Sequence, residues 1–216
     1  MIITSNGMPS LRNGWSNLTL MSKPKKSKVI QPLKLDLGCG QNKQPGFTGV
    51  DLYAPGADVK LDLLDWGIKD NNQPELKKWP WKDNTVDEIF CSHFVEHVPA
   101  SLRWPFFVEC WRILKLEGVM RVFVPSWKSE RAYGDMTHQW PPVTTFFFLY
   151  LNKGWREANK LTYGPYDIRC NFETQSGPTQ IVGPFAERNP EAQSFACNHY
   201  LEAYPDMWAT LTKKAI

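Results

Sequence analysis

Two stretches of this sequence place residues where they could do chemistry. The first is Leu35-Asp36-Leu37-Gly38-Cys39-Gly40, an apolar run that ends in a GxG turn. Without a Cβ, glycine lets the backbone bend sharply and approach a ligand closely. The third glycine of the dinucleotide fingerprint is missing, because Gln41-Asn42-Lys43 follows, and an ordinary tight turn reads the same way. Asp51, 13 residues after Gly38, closes a second apolar run, Gly49-Val50-Asp51-Leu52. A carboxylate at such a strand end can accept two hydrogen bonds from a ribose diol. The spacing is shorter than the ~20 residues of dinucleotide folds. The connection from Gln41 to Gly46 contains Pro45 and has room for about one helical turn or none. Both points argue against a nicotinamide dinucleotide.

The second stretch is His93-Phe94-Val95-Glu96-His97. It matches HxxEH, the inverted zinc-hydrolase motif, and on a helix its two histidines would share a face and bind a metal. Against this, the motif continues from an apolar strand without a break, and Pro99 lies two residues past His97. The expectation is therefore no metal, with Glu96 and His97 hydrogen-bonding within the fold. Further along, Gly134-Asp135-Met136-Thr137-His138-Gln139-Trp140 brings another acid and another histidine close together. The candidates for general acid–base work are His93, Asp135 and His138, although a lone histidine is as a rule a structural hydrogen-bonding residue.

These groups need a scaffold, and the apolar pattern supplies one. Strands are expected at Leu33–Leu37, Phe47–Leu52, Asp58–Leu63, Val86–Cys91 and Val119–Val124, with a helix over Pro99–Leu114. Alternation of this kind indicates an α/β domain with a mostly parallel, twisted, Rossmann-like sheet and flanking helices. Open α/β sheets place ligands beyond the carboxyl ends of their strands, which is where the glycine turn, Asp51 and the 134–140 segment fall. The second half reads as a helical or lid-like elaboration. Pro141-Pro142 opens a helix to about Lys153, Tyr166–Thr174 is a strand, Glu191–Ala203 is a helix, and Asp206–Lys214 continues as a terminal helix.

At 216 residues, 42% apolar and 13% aromatic, the chain can bury one sizeable core. Residues 1–32 are polar, lysine-bearing and without period, so they read as a flexible basic arm. Residues 33–216 read as a single domain, with a cofactor-binding core over 33–126 and a substrate-side elaboration over 127–216. The net charge of +3 is too small to announce a nucleic-acid or membrane partner. Five scattered cysteines without a CxxC pair indicate neither a disulfide framework nor a thiolate zinc cage, and fit a reducing cytoplasm. The longest greasy run, Phe146–Leu151, is far below the ~20 residues that span a bilayer.

Three blocks taken together resemble the class I, Rossmann-like S-adenosylmethionine-dependent methyltransferases. LKLDLGCGQNKQPGFTGVDL resembles a cofactor loop of a subgroup with a short connection between LxLGCG and PGF-x-GVD. KWPWKDNTVDEIFCSHFVEHV and ECWRILKLEGVMRVFVPS are similar to the family's later blocks, and the three cover about residues 33–126 in order. The resemblance implies S-adenosylmethionine as cofactor. Asp36 and the backbone of Gly38, Cys39 and Gly40 would hold its methionine part, with Asp36 near the ammonium. Asp51 and Leu52 would sit at the ribose, Asp62 and the Leu63 backbone at the adenine edge, and Ser92 with His93 where the methyl group faces its acceptor. Two departures are visible. Lys115-Leu116-Glu117-Gly118 replaces a KPGG turn, and Ser126 stands where the family has an aspartate, so no role for that carboxylate transfers.

Methyl transfer from a sulfonium needs positioning above all, and a base only where the acceptor must lose a proton early. The chain lacks the Asn-Pro-Pro-aromatic and Pro-Cys signatures resembling those of DNA base methyltransferases. By analogy with the family the acceptor is a small molecule or glycan precursor, with an RNA or protein acceptor as the alternative. A non-catalytic cofactor-binding module and the HxxEH zinc hydrolase stand as further readings.

Overall fold

The computed structural model describes residues 31–68, 74–164 and 168–216. The basic arm expected over 1–32 lies outside these except for its last two residues. In chain order the elements are β1 (Lys34–Leu37), β2 (Thr48–Asp51), β3 (Val59–Lys60), β4 (Trp66–Ile68), β5 (Pro74–Leu76), β6 (Val86–Ser92), a 3-10 turn (Val95–His97) and α1 (Ala100–Ile113). There follow β7 (Leu114–Pro125), α2 (Arg131–Gly134), α3 (Thr145–Leu149), α4 (Lys153–Ala158), β8 (Phe172–Pro178), a second 3-10 turn (Gly183–Phe185), α5 (Pro190–His199) and β9 (Asp206–Lys213).

Seven strands form one sheet in the order β3-β2-β1-β6-β7-β9-β8, while β4 and β5 pair separately as an antiparallel ribbon. From β3 to β7 every neighbour is parallel; β9 runs antiparallel to both β7 and β8. This is the α/β, Rossmann-like architecture expected. The central strand β1 is buried on both faces, with Leu35, Asp36 and Leu37 almost fully covered, as a strand inside a parallel sheet must be. Phe106, Phe107, Cys110 and Ile113 of α1 are fully buried with Leu35, Ile89, Met120 and Val122 in the same core. Among the described residues no helix is long and apolar enough to cross a membrane.

The second half departs from the sequence pattern. Asp206–Lys213 is a strand, not the expected helix: Met207, Ala209, Leu211 and Lys213 are buried and the residues between them are less so. That two-residue period belongs to a strand, and antiparallel pairing with β7 fixes its register from Val119–Thr212 to Pro125–Asp206. The helix expected from Pro141 to Lys153 divides into α3 and α4, each begun by a side-chain cap: Thr144 accepts from Phe147 N, and Asn152 from Trp155 N. The strand expected at Tyr166–Thr174 begins in 165–167, outside the described residues, and the observed β8 is Phe172–Pro178. The LEG sequence in place of a PGG turn leaves no loop before β7. The chain passes from α1 directly into the strand, with Glu117 at φ +61° and a register irregularity between Val86 and Glu88.

One buried side chain ties the second half to the first. Arg103 of α1, 3% exposed, donates through Nε to Val98 O (3.1 Å), and through its two terminal nitrogens to Pro141 O (2.6 Å) and Gln139 O (2.8 Å). The planar guanidinium fork suits three divergent carbonyls in a way an ammonium cannot. It holds the 138–141 segment against the 3-10 turn, where Gln139 N also donates to Glu96 O (2.8 Å).

Candidate active site

The turn after β1 is built around two positive-φ glycines, Gly38 (φ +68°) and Gly40 (φ +52°), a region that L side chains enter at a cost. Their surroundings differ. A Cβ on Gly38 would meet the Phe94 ring at 2.3 Å, whereas a Cβ on Gly40 would meet no protein atom within 4 Å. Gly38 therefore lets the turn sit against the segment that follows β6, and Gly40 borders open space. The turn is clamped from below. Gly38 N donates to Val50 O (2.8 Å), Gly40 N to Asp51 Oδ2 (3.0 Å), and Gln44 N to the buried Asp36 Oδ2 (2.7 Å). No helix forms between β1 and β2, as the short, proline-bearing connection implied.

The two acids are held differently. Burial pushes the Asp36 carboxyl above the ordinary range; the Gln44 N–H opposes this, and the Asp51 charge adds to it. For Asp51 burial acts the same way, but backbone N–H groups of Ala54, Tyr53 and Gly40 outweigh it and bring its pKa below the ordinary value. Tyr53 N and Ala54 N reach Asp51 Oδ1 at 2.7 and 2.8 Å. Beside Asp51, Leu52 and Tyr53 are 40% and 85% exposed. Asp62 is exposed, with Oδ1 accepting from Leu64 N (2.8 Å), and Leu63 is buried.

Beyond the ends of β6 and β7 lies a cleft of about 620 Å³, lined by His93, Glu96, His97, Pro125, Glu130, Arg131, Gly134, Asp135 and His138. Ser92 ends β6, and His93 takes φ +53° as the chain turns away. His93 Nδ1 is 3.2 Å from Glu96 Oε1, and Nε2 is 4.0 Å from Asp206 Oδ2. The bond to Glu96 raises the His93 pKa, opposed by partial burial; the charges of Glu96 and Asp206 add to the rise and Arg131 opposes it. Across the cleft His138 Nδ1 is 3.2 Å from Ala132 O, and its ring meets that of His97 edge-on with centroids 4.8 Å apart. Asp135 accepts from the hydroxyl and the backbone N–H of Thr137 (2.6 and 2.8 Å), which lowers its pKa.

Residues 35–122 match the family model described as a methyltransferase domain. Solved structures share the fold of this chain. An S-adenosylmethionine-dependent methyltransferase from Archaeoglobus fulgidus is 18% identical with a TM-score of 0.56, over 84% of this chain and 86% of that one. A possible histamine N-methyltransferase from Thermotoga maritima is 16% identical with a TM-score of 0.50, over 86% and 84%. At such identities these are likenesses of fold. No curated protein is significantly similar in sequence.

The fold brings the expected residues into two neighbouring groups. Asp36, Gly38, Cys39, Gly40 and Asp51 form one connected turn at the tips of β1 and β2, with Leu52 next to it. Asp62 and Leu63 follow β3, and Asp62 makes its recorded bond within its own turn. Ser92 and His93 join the two groups, since Phe94 abuts Gly38. His93, Asp135 and His138, distant in sequence, line the same cleft. The HxxEH helix does not form: only Val95–His97 is helical, as a 3-10 turn, and His93 stands outside it. Glu96 and His97 do bond within the fold, and they also line the cleft. Arg131 and Asp206 were not singled out in the sequence. Asp206 was hidden by the helical reading of β9, although Pro205 directly before it is a usable strand-boundary signal.

Proposed function

We propose that this chain transfers a methyl group from S-adenosylmethionine, seated on the Gly38–Gly40 turn, to a small-molecule acceptor in the adjoining cleft. The open side of Gly40 carries the cofactor half of the reading, because the space a Cβ there would enter holds no protein atom within 4 Å and leaves room for the methionine part of the ligand. An ionised carboxylate offers about four lone-pair positions. Asp51 has three recorded backbone donors, so it has capacity for one ribose hydroxyl rather than the two its position alone suggested. Leu52 and Tyr53 provide exposed apolar surface beside it, and Asp62 with Leu63 the adenine edge. Asp36 supports the turn through Gln44 and adds a negative group toward the ammonium.

When bound, the cofactor supplies a methyl group already activated by its sulfonium. The chain's own task is orientation. The cleft volume of about 620 Å³ falls within the roughly 300–1,000 Å³ of small-ligand sites, which favours a small-molecule or glycan-type acceptor over a polymer. His93, Asp135 and His138 face that cleft and are the groups positioned to take a proton from an acceptor hydroxyl or amine. The test has two steps. S-adenosylmethionine should raise the Tm by binding the folded state, and labelled methyl should then appear in the small-molecule fraction of an acceptor mixture. Labelling confined to the RNA or protein fraction would overturn the acceptor class, and absence of any Tm shift would overturn the cofactor site.

A further inference from the structure

We propose that Glu96, His97 and His138 form a divalent transition-metal site in the wall of the cleft. One ligand atom from each of the three lies within 4.8 Å of the others. Donors bound to one ion at about 2.0–2.2 Å stand at most roughly 4.4 Å apart, so only a slight inward movement is needed. Two imidazoles and one carboxylate form a set that binds zinc and related ions while leaving coordination positions open.

The hydrogen bonds around the three groups fit this role. Glu96 is 5% exposed, its Oε1 faces His93 Nδ1, and its Oε2 is buried with no hydrogen-bond partner. A buried carboxylate oxygen without a donor is unfavourable unless something positive meets it. The Thr137 hydroxyl donates to Asp135 Oδ1 at 2.6 Å, so its oxygen accepts from His97 Nδ1–H at 2.9 Å. Ala132 O can only accept, so His138 Nδ1 carries the proton it receives at 3.2 Å. Both rings are thereby fixed as the tautomer whose Nε2 lone pair is free for a metal. Anchoring the opposite ring nitrogen on a carbonyl, hydroxyl or carboxylate is the usual support of metal-binding histidines.

This trio differs from the His93–His97 pair of the HxxEH reading, and the proposal runs against the expectation of no metal. The ion's open positions face the cleft and would take an oxygen ligand, a hydroxyl or carboxylate of the acceptor. That role rests on the methyl-transfer reading; the ion site does not, and with the ion bound His138 is a ligand, leaving His93 and Asp135 as the proton acceptors of that reading.

The experiment titrates the full-length, chelator-treated protein with Zn²⁺ alone by calorimetry, and measures S-adenosylmethionine binding in parallel. One ion per chain is expected. His97→Gln and His138→Gln, both at partly exposed positions, should each weaken it at least about tenfold, and Thr137→Val about 10–100-fold as a supporting group. Acetohydroxamate, a small oxygen chelator, should bind only the zinc-loaded protein. No stoichiometric zinc, or equal binding by wild type and a folded His97→Gln/His138→Gln double variant, overturns the site. Acetohydroxamate binding that ignores zinc overturns the open coordination position. Retained cofactor binding without zinc leaves methyl transfer standing, and zinc without cofactor binding leaves only the metal site.

Discussion

Asp51 joins the glycine turn to β2, and its carboxylate is ionised at the expense of its own backbone's free N–H groups. Its pKa lies below 3.8 in the fold, so the unfolded chain takes up its proton first as pH falls. The stability it contributes is therefore fully present above about pH 4 and is lost as pH drops through the lower, folded value. Asp51→Asn should flatten the acid limb of a Tm-against-pH curve and weaken S-adenosylmethionine binding; an unchanged acid limb would remove the basis for this coupling. The two glycines separate fold from function more cleanly. Gly40→Ala carries only the cost of φ +52°, roughly 1–2 kcal/mol, while its methyl group occupies space assigned to the cofactor. Gly38→Ala carries a similar backbone cost and a collision with Phe94, to which overpacking adds about 1–3 kcal/mol. Urea melts should therefore rank Gly38→Ala as the less stable variant, and calorimetry should show Gly40→Ala losing cofactor affinity while it remains folded. Equal cofactor affinity in Gly40→Ala and wild type would move the ligand elsewhere.

At the scale of elements, the first half was legible because its strands are short apolar runs ended by Gly, Asp or Pro, with one long helix from Ala100 to Ile113. The glycine turn and Asp51 were legible for the same reason, since a strand end is marked in sequence. What was not legible is partnership across the sheet. Met207, Ala209 and Leu211 alternate in burial only because β9 inserts between β7 and β8, and the sequence DMWATLTK also has apolar residues spaced for a helix. Leu211 is fully buried in this strand, so Leu211→Ala should cost about 2–5 kcal/mol in urea unfolding. A loss below about 0.5 kcal/mol, as surface substitutions give, would contradict the strand. Likewise nothing in the sequence linked α1 to the 138–141 segment. Arg103→Met should leave three carbonyls short of a donor, at roughly 1–3 kcal/mol for each group left unsatisfied. It should also loosen the segment that carries His138. Hydrogen exchange at the Gln139 amide, bonded to Glu96 O, measures that loosening directly.

At the scale of the whole molecule, the acceptor is decided by whether the cleft works alone or together with residues 1–31. The chain divides into Met1–Gln31 and Pro32–Ile216, and the second unit holds the buried core found among the described residues. Lys23, Lys25, Lys26 and Lys28 belong to the first. If the acceptor is a small molecule, the 32–216 unit contains every group the reaction needs. A chain lacking residues 1–31 should then keep its Tm, its cofactor affinity and its kcat/KM on a small acceptor. If the acceptor is RNA, the lysines supply phosphate contacts, and affinity should fall steeply with salt at a slope near −0.7 per contact on single strands. Four such contacts give a slope of about −3, lost on deletion of residues 1–31. The same deletion gives no change in one case and loss of binding in the other, so one truncated protein assayed for cofactor binding and for RNA binding at two salt concentrations distinguishes them. The cleft's modest volume of about 620 Å³ favours the first outcome, because it lies within the range of small-ligand sites.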